Sequence, residues 1–157
     1  MTDRAVIVDT GHRWKRAASI EINAPAAQIF AVLADPRRHA AFDGSGTVQG
    51  VMSGPDRLEL GSRFGMRMRI GLPYRTDNTV VEFEEGRRIA WCHLNRHRWR
   101  YELEPLAPQR TLVTETFDGS TAWFPPALSF IGAYSANELA IAKSLVRLKH
   151  LVEEGSA

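Results

Sequence analysis

Along residues 19–36 the spacing of apolar positions changes at one sharp point. Ile20 and Ile22 alternate with Ser19, Glu21 and Asn23, the period of a half-buried strand. Beyond Pro25 the apolar residues Ile29, Phe30, Val32 and Leu33 fall at helical spacing instead. A proline is harmless in a first helical turn, because the N–H it lacks has no partner there anyway. Asn23 is an acceptable cap if the helix begins one residue early. Asp35-Pro36 ends it, since a proline drives its predecessor out of the helical region. The pattern predicts strand, short helix and stop.

Further strands are predicted over 47–52, 63–70, 75–84, 88–94, 99–105 and 111–118, with glycine, proline and asparagine between them, including a turn at 71–73. Residues 1–15 are a lead-in in which 5–8 form an extra edge strand or none, and 16–153 make one domain. Sequential strands joined by short turns argue an antiparallel meander, because parallel neighbours need long crossovers. The fold class is α+β.

Several strands have two unlike faces. Phe64, Met66, Met68 and Ile70 alternate with Arg63, Gly65, Arg67 and Arg69; Trp99, Tyr101 and Leu103 alternate with Arg98, Arg100, Glu102 and Glu104. Between them Trp91 and His93 are assigned inward with Ile89. For 111–118 the expectation is that Thr114 and Thr116 point with Leu112 toward the helix. Asn78 and Glu82 share a parity on a strand where neither face is purely apolar, so their side stays open. The inward set of methionines and aromatics suits either a plain core or a binding wall of modest selectivity.

A final helix is predicted over 131–152, where Ile131, Tyr134, Ile141, Leu145, Leu148 and Val152 recur at spacings of three, four and seven. Glu138 falls inside that stripe. Buried and unpaired, a carboxyl there would be raised in pKa and fit for acid–base work or for a ligand hydroxyl. The alternative places it at the edge of the stripe, paired with an arginine.

Composition changes this picture little. The chain has 157 residues, 44% apolar and 24% charged, enough for a single sizeable core. A formal charge of +2 is too small to argue for nucleic acid. The lone cysteine, Cys92, excludes an internal disulfide and fits a reducing, cytoplasmic setting. No stretch is apolar enough for stable membrane insertion, and residues 1–18 are too polar for a signal peptide. His12, His39, His93, His97 and His150 show no metal-ligand spacing, Gly44-Ser45-Gly46 lacks the lysine of a phosphate loop, and no nucleophile triad is evident.

The run Asn-Ala-Pro-Ala-Ala-Gln-Ile-Phe-Ala-Val-Leu-Ala-Asp-Pro at 23–36, the strand-rich middle and the long last helix resemble the START-like superfamily, in particular its bacterial polyketide cyclase/dehydrase and lipid-transport branch. The resemblance covers the chain from about Arg16 onward. It implies a helix-grip fold: a curved antiparallel sheet of six to seven strands wrapped around the C-terminal helix, two short helices after the first strand, and an apolar cavity between. Many relatives carry a tryptophan in the second short helix; here Phe42 stands as the substitute plug. The cavity wall implied is Phe64, Met66, Met68, Trp91, His93, Trp99, Tyr101, Leu103, Tyr134, Glu138 and Ile141. Trp123, Phe124 and Phe130, in the segment 117–130, would stand at its mouth or pack back beneath the helix.

Three functions follow from different classes. The first is a carrier or sensor of a small hydrophobic molecule: a lipid, polyketide or aromatic metabolite. The second is a metal-free enzyme resembling polyketide aromatases/cyclases, with Glu138, His93 and Tyr101 as acid–base groups. The third is an interaction module with a filled cavity, acting as a homodimer or accessory subunit. None needs a cofactor, and the thin set of convergent acid–base groups favours binding.

Overall fold

The structure is a computed structural model, and it describes residues 4–93 and 96–155. Eight strands form one antiparallel sheet: β1 (Val6–Val8), β2 (Lys15–Ile22), β3 (Val48–Ser53), β4 (Arg63–Ile70), β5 (Leu72–Glu84), β6 (Arg88–Cys92), β7 (Arg98–Ala107) and β8 (Arg110–Asp118). Four helices accompany them: α1 (Ala26–Leu33), α2 (His39–Phe42), α3 (Pro125–Phe130) and α4 (Ala133–Gly155). The strand order is β1-β2-β8-β7-β6-β5-β4-β3, a meander from β3 to β8 closed by β2 and edged by β1. β1 adds one strand to the number expected. Leu94, expected in the same strand as Cys92, lies outside the described residues.

The switch at 19–36 occurs where the apolar period changes. Ile20 and Ile22 are buried from β2, and Ile29, Phe30, Val32 and Leu33 from α1. Pro25 is the N-cap of α1 with no side-chain capping bond. Asn23 does not cap; its backbone N–H donates to Glu153 Oε1 at 2.8 Å. Asp35 instead caps a short 3-10 turn, accepting from the Arg37 N–H at 3.0 Å. The turn expected at 71–73 shrinks to Gly71, which takes φ +70°, so β5 begins at Leu72.

The last helix begins later than its stripe suggested. Residues up to Phe130 coil into α3, Gly132 at φ +70° breaks the path, and α4 starts at Ala133. Ile131 is therefore outside α4 and 77% exposed. The remaining stripe residues, Tyr134, Ile141, Leu145, Leu148 and Val152, are buried, and α4 lies against β2 and β8. α2 touches both α4 and β3, so it bridges the helix to the far edge of the sheet. That bridge closes a helix-grip arrangement, with the interior between the sheet, α2 and α4.

Candidate binding site

Directly opposed residues of antiparallel strands project to the same side, so the register sorts the inner face into rows. Glu115, Tyr101 and Ile89 form one row across β8, β7 and β6; Phe117, Trp99, Trp91 and Val80 form the next, from β8 to β5. Leu103 and Val113 lie beyond the first, and Phe64 and Asn78 face each other on β4 and β5. Met66 and Met68 continue the buried face of β4, whereas Ile70, expected inward with them, is 68% exposed at the hairpin tip.

α2 inserts two rings into this wall. Its spacing puts His39 and Phe42 on one side, and both are buried. The His39 ring stacks on Trp91 at 4.6 Å and meets Phe64 edge-on at 5.5 Å; Phe42 meets Tyr101 edge-on at 6.1 Å. Trp91 and Tyr101 lie 5.7 Å apart. Phe42, which the family resemblance implied as a plug, is buried in this wall. His39, which the sequence reading left unassigned, shares the interior, and its spacing three residues before Phe42 is the signal that could have found it. His39 Nε2 lies 2.9 Å from the Leu33 carbonyl; a carbonyl only accepts, so Nε2 carries the hydrogen. Burial pushes this imidazole down to about 4, so it is neutral at physiological pH.

The polar groups of the interior are few and under-satisfied. Glu115 is buried, and its Oε2 has no hydrogen-bond partner. Burial raises its carboxyl well above the usual carboxylate range, the Tyr101 hydroxyl opposes that rise, and the Asp43 carboxylate adds to it. The Tyr101 phenol is itself raised, chiefly by burial and then by Glu115. Asn78 Oδ1, His93 Nδ1 and His97 Nδ1 are likewise buried without partners. His93 and His97 bring their rings to 5.3 Å, and burial lowers both, His93 to about 4.

This arrangement corrects the sequence reading at β8. Val113, Glu115 and Phe117 face inward, while Leu112, Thr114 and Thr116 take the outer side. Val113 and Phe117 flanking Glu115 were the available signal, since they are more apolar than Leu112, Thr114 and Thr116. Glu138 stands at the edge of its stripe: its carboxylate lies 3.7 Å from Arg16, and its side chain is 37% exposed. Tyr101 and His93 do not converge either, because His93 lies past the end of β6, four residues beyond Ile89, the partner of Tyr101. Among the described residues no group of three or more His, Cys, Asp or Glu side chains could hold a metal ion.

The remaining expected wall residues are dispersed around this centre. Tyr134 is buried against Phe117 and Trp14 and donates to the Pro125 carbonyl at 3.0 Å, tying α4 to α3. Ile141 is fully buried, and Trp99 is half-buried against Phe117. Trp123, Phe124 and Phe130 are 72%, 61% and 88% exposed, so they do not pack back beneath the helix. The Arg96 guanidinium covers the Trp123 ring at 4.6 Å, and Thr121 donates to the Arg96 carbonyl at 2.6 Å, joining the β6–β7 loop to the segment before α3. One open surface depression lies on the outer side of the sheet among Arg88, Glu102, Glu104 and Thr114, and another lies beside β1 around Arg13 and Glu138.

Comparison with known proteins agrees with this architecture. The chain is similar to the uncharacterized protein Rv0088 of Mycobacterium tuberculosis, 47% identical over 113 residues that cover 71% of this chain. The match spans half the length of that curated relative. The fold is shared with protein Ms6760 from Mycobacterium smegmatis, with a TM-score of 0.70 at 16% identity, covering 95% of this chain and 99% of the other. It is shared also with the Polyketide_cyc-like protein Cgl2372 from Corynebacterium glutamicum, with a TM-score of 0.61 at 22% identity, covering 91% and 93% of the two chains. The sequence pattern of one family, described as polyketide cyclase / dehydrase and lipid transport, matches residues 13–153, and the chain belongs to that family.

Proposed function

We propose that this protein binds a small hydrophobic molecule between the sheet and α4, holding it rather than converting it. The observation that carries this reading is the inner wall itself: Met66, Met68, Trp91, Trp99 and Tyr101 offer flat aromatic area beside adaptable thioethers. Exposed Trp123, Phe124 and Phe130 follow β8 in the chain, a rim through which an apolar molecule would pass. Family membership supports the same reading. Conversion is disfavoured because Glu138 pairs with Arg16 outside the interior and His93 stands apart from Tyr101. Nucleic acid is not an expected partner, since Arg98 and Arg100 of the outer face are bound to Glu82, at 2.8 Å each.

A second reading has its own observation. The rings of Phe64, His39, Trp91, Tyr101 and Phe42 are in mutual contact, as in a filled core, which suits an interaction module working through its surface as a homodimer or accessory subunit. Native mass spectrometry of the purified protein, with thermal shift across a panel of lipids and aromatic compounds, separates the two. The binding reading expects a stoichiometric adduct or a saturable stabilisation. Absence of both, with a concentration-dependent dimer, would move the assignment to the interaction module.

A further inference from the structure

Among the described residues Glu115 is a buried carboxyl that the Tyr101 hydroxyl satisfies only in part. It is 3% exposed, and Oε2 meets no donor. Ala18 flanks it on β2, Tyr101 on β7, and Val113 and Phe117 share its side of β8. The charged group acting on it is Asp43, of the same sign. The nearest arginine in register, Arg100, belongs to the outer face, where it binds Glu82 and Asp118. Among the described residues no cation pairs with this carboxyl, so burial favours the neutral acid, which both donates and accepts. Its complement is a group that does the same.

We infer that Glu115, with Tyr101 beside it, is the polar anchor of the interior, and that it takes the hydroxyl of an otherwise apolar, uncharged alcohol or phenol. The inference rests on the binding reading above and adds the class of ligand. A carboxylate or phosphate end group would be set against Glu115 and Asp43, and the guanidinium beside Asp43, that of Arg147, is held on the exposed side by the Asp43 carbonyl at 2.6 Å. A fully apolar molecule would leave Oε2 bare. A phenol that parts the touching rings of Trp91, Tyr101 and Phe42 would bring its hydroxyl to the Glu115 carboxyl.

Calorimetric titration at pH 7 with four compounds of one shape tests this: 2-naphthol, naphthalene, 2-naphthylamine and 2-naphthoate. The expected result is 2-naphthol at least tenfold tighter than the other three. Glu115→Leu should bring 2-naphthol down to the affinity of naphthalene while leaving naphthalene bound, and Glu115→Gln, which keeps a donor and an acceptor, should hold 2-naphthol within about threefold. Thermal melts of both variants establish that they are folded. Equal binding of 2-naphthol and naphthalene, tightest binding of the acid or the amine, or a preference that survives in Glu115→Leu overturns the anchor while leaving the binding reading standing. If none of the four binds and the wider panel gives no stabilisation, the binding reading fails and the anchor with it.

Discussion

The imidazole of His39 lies flat on the indole of Trp91, their centroids 4.6 Å apart and their planes 22° from parallel. The contact joins α2 to β6 across the interior, and it depends on a histidine that stays neutral. The unfolded chain takes up this proton near pH 6.5, the folded chain only near 4, so between those values the unfolded state holds more protons. Stability is therefore expected to fall as pH drops from about 6.5 to about 4, by roughly 3 kcal/mol for this one group. His93, also lowered to about 4, adds a slope of the same sign. Urea denaturation at several pH values should show a shallower acid slope for His39→Phe than for the parent; an unchanged slope would place the proton uptake elsewhere.

Glu115 contributes with the opposite sign. Its folded pKa is raised, so above the unfolded value the folded state keeps a proton the unfolded state has lost, and its contribution declines as pH rises. At neutral pH the residue is a cost to the fold. Glu115→Leu is expected to raise stability by about 1–3 kcal/mol, as when a buried, poorly paired polar group is replaced by an apolar one. A fall in the melting temperature would show that the carboxyl holds the sheet together.

Lys149 clamps the end of α4 to the end of β2. Its ammonium is almost wholly buried and donates to Glu153 at 2.7 Å and to the Glu21 carbonyl at 3.0 Å. Glu153 in turn accepts from the Asn23 N–H. Removing the charge with Lys149→Met leaves that carboxylate and carbonyl under-satisfied, a loss of about 2–4 kcal/mol. Chemical denaturation checks the figure, and the Lys149→Met/Glu153→Leu pair should recover part of it.

Gly44 sits hard against α4: its N–H donates to Ser144 Oγ at 2.7 Å, and an added Cβ would stand 2.6 Å from the Lys143 Cβ and 2.5 Å from the Ser144 nitrogen. Because part of the obstacle is backbone, Gly44→Ala is expected to cost about 2 kcal/mol or more. Gly50, whose added Cβ meets nothing within 4 Å, is the matched control, with a change within about 0.5 kcal/mol. Equal melting temperatures for the two variants would contradict the α4 contact.

Glu138 should be dispensable to both fold and interior. Its pair with Arg16 is long and about a third exposed on both sides, a geometry worth less than about 1 kcal/mol. Glu138→Gln is expected to leave the melting temperature and the binding of apolar probes unchanged. A lost or weakened binding signal would make this residue part of the proposed binding site.

Where one side of an element meets water and the other the core, the local pattern disclosed the buried side, except at the tip of β4, where Ile70 is exposed. Arg63, Arg67 and Arg69 against Phe64, Met66 and Met68 disclosed both the strand and its buried side, and the period change at Pro25 disclosed strand and helix. β8 defeated the same logic because a glutamate is buried on its inner side while a threonine is buried on its outer: Glu115 is 3% exposed and Thr116 7%. With Leu112 and Thr114 only half-buried and Thr116 covered, the outer side is too weakly marked to fix parity against a buried glutamate, and the pairing of Tyr101 with Glu115 decides which residues point inward.

The rest of the site belongs to contacts between distant parts of the chain. A helical stripe tells that Glu138 lies near the buried arc but not on which flank, and the seating of α4 on β2 placed it beside Arg16. Nothing in the sequence around His39 announces Trp91. So the sequence determined the α+β class, the meander and the apolar faces, because those follow from local periodicity against water. The tertiary structure decided which polar groups are sealed inside with an atom left unpartnered, because that depends on register and helix seating, which no local period encodes.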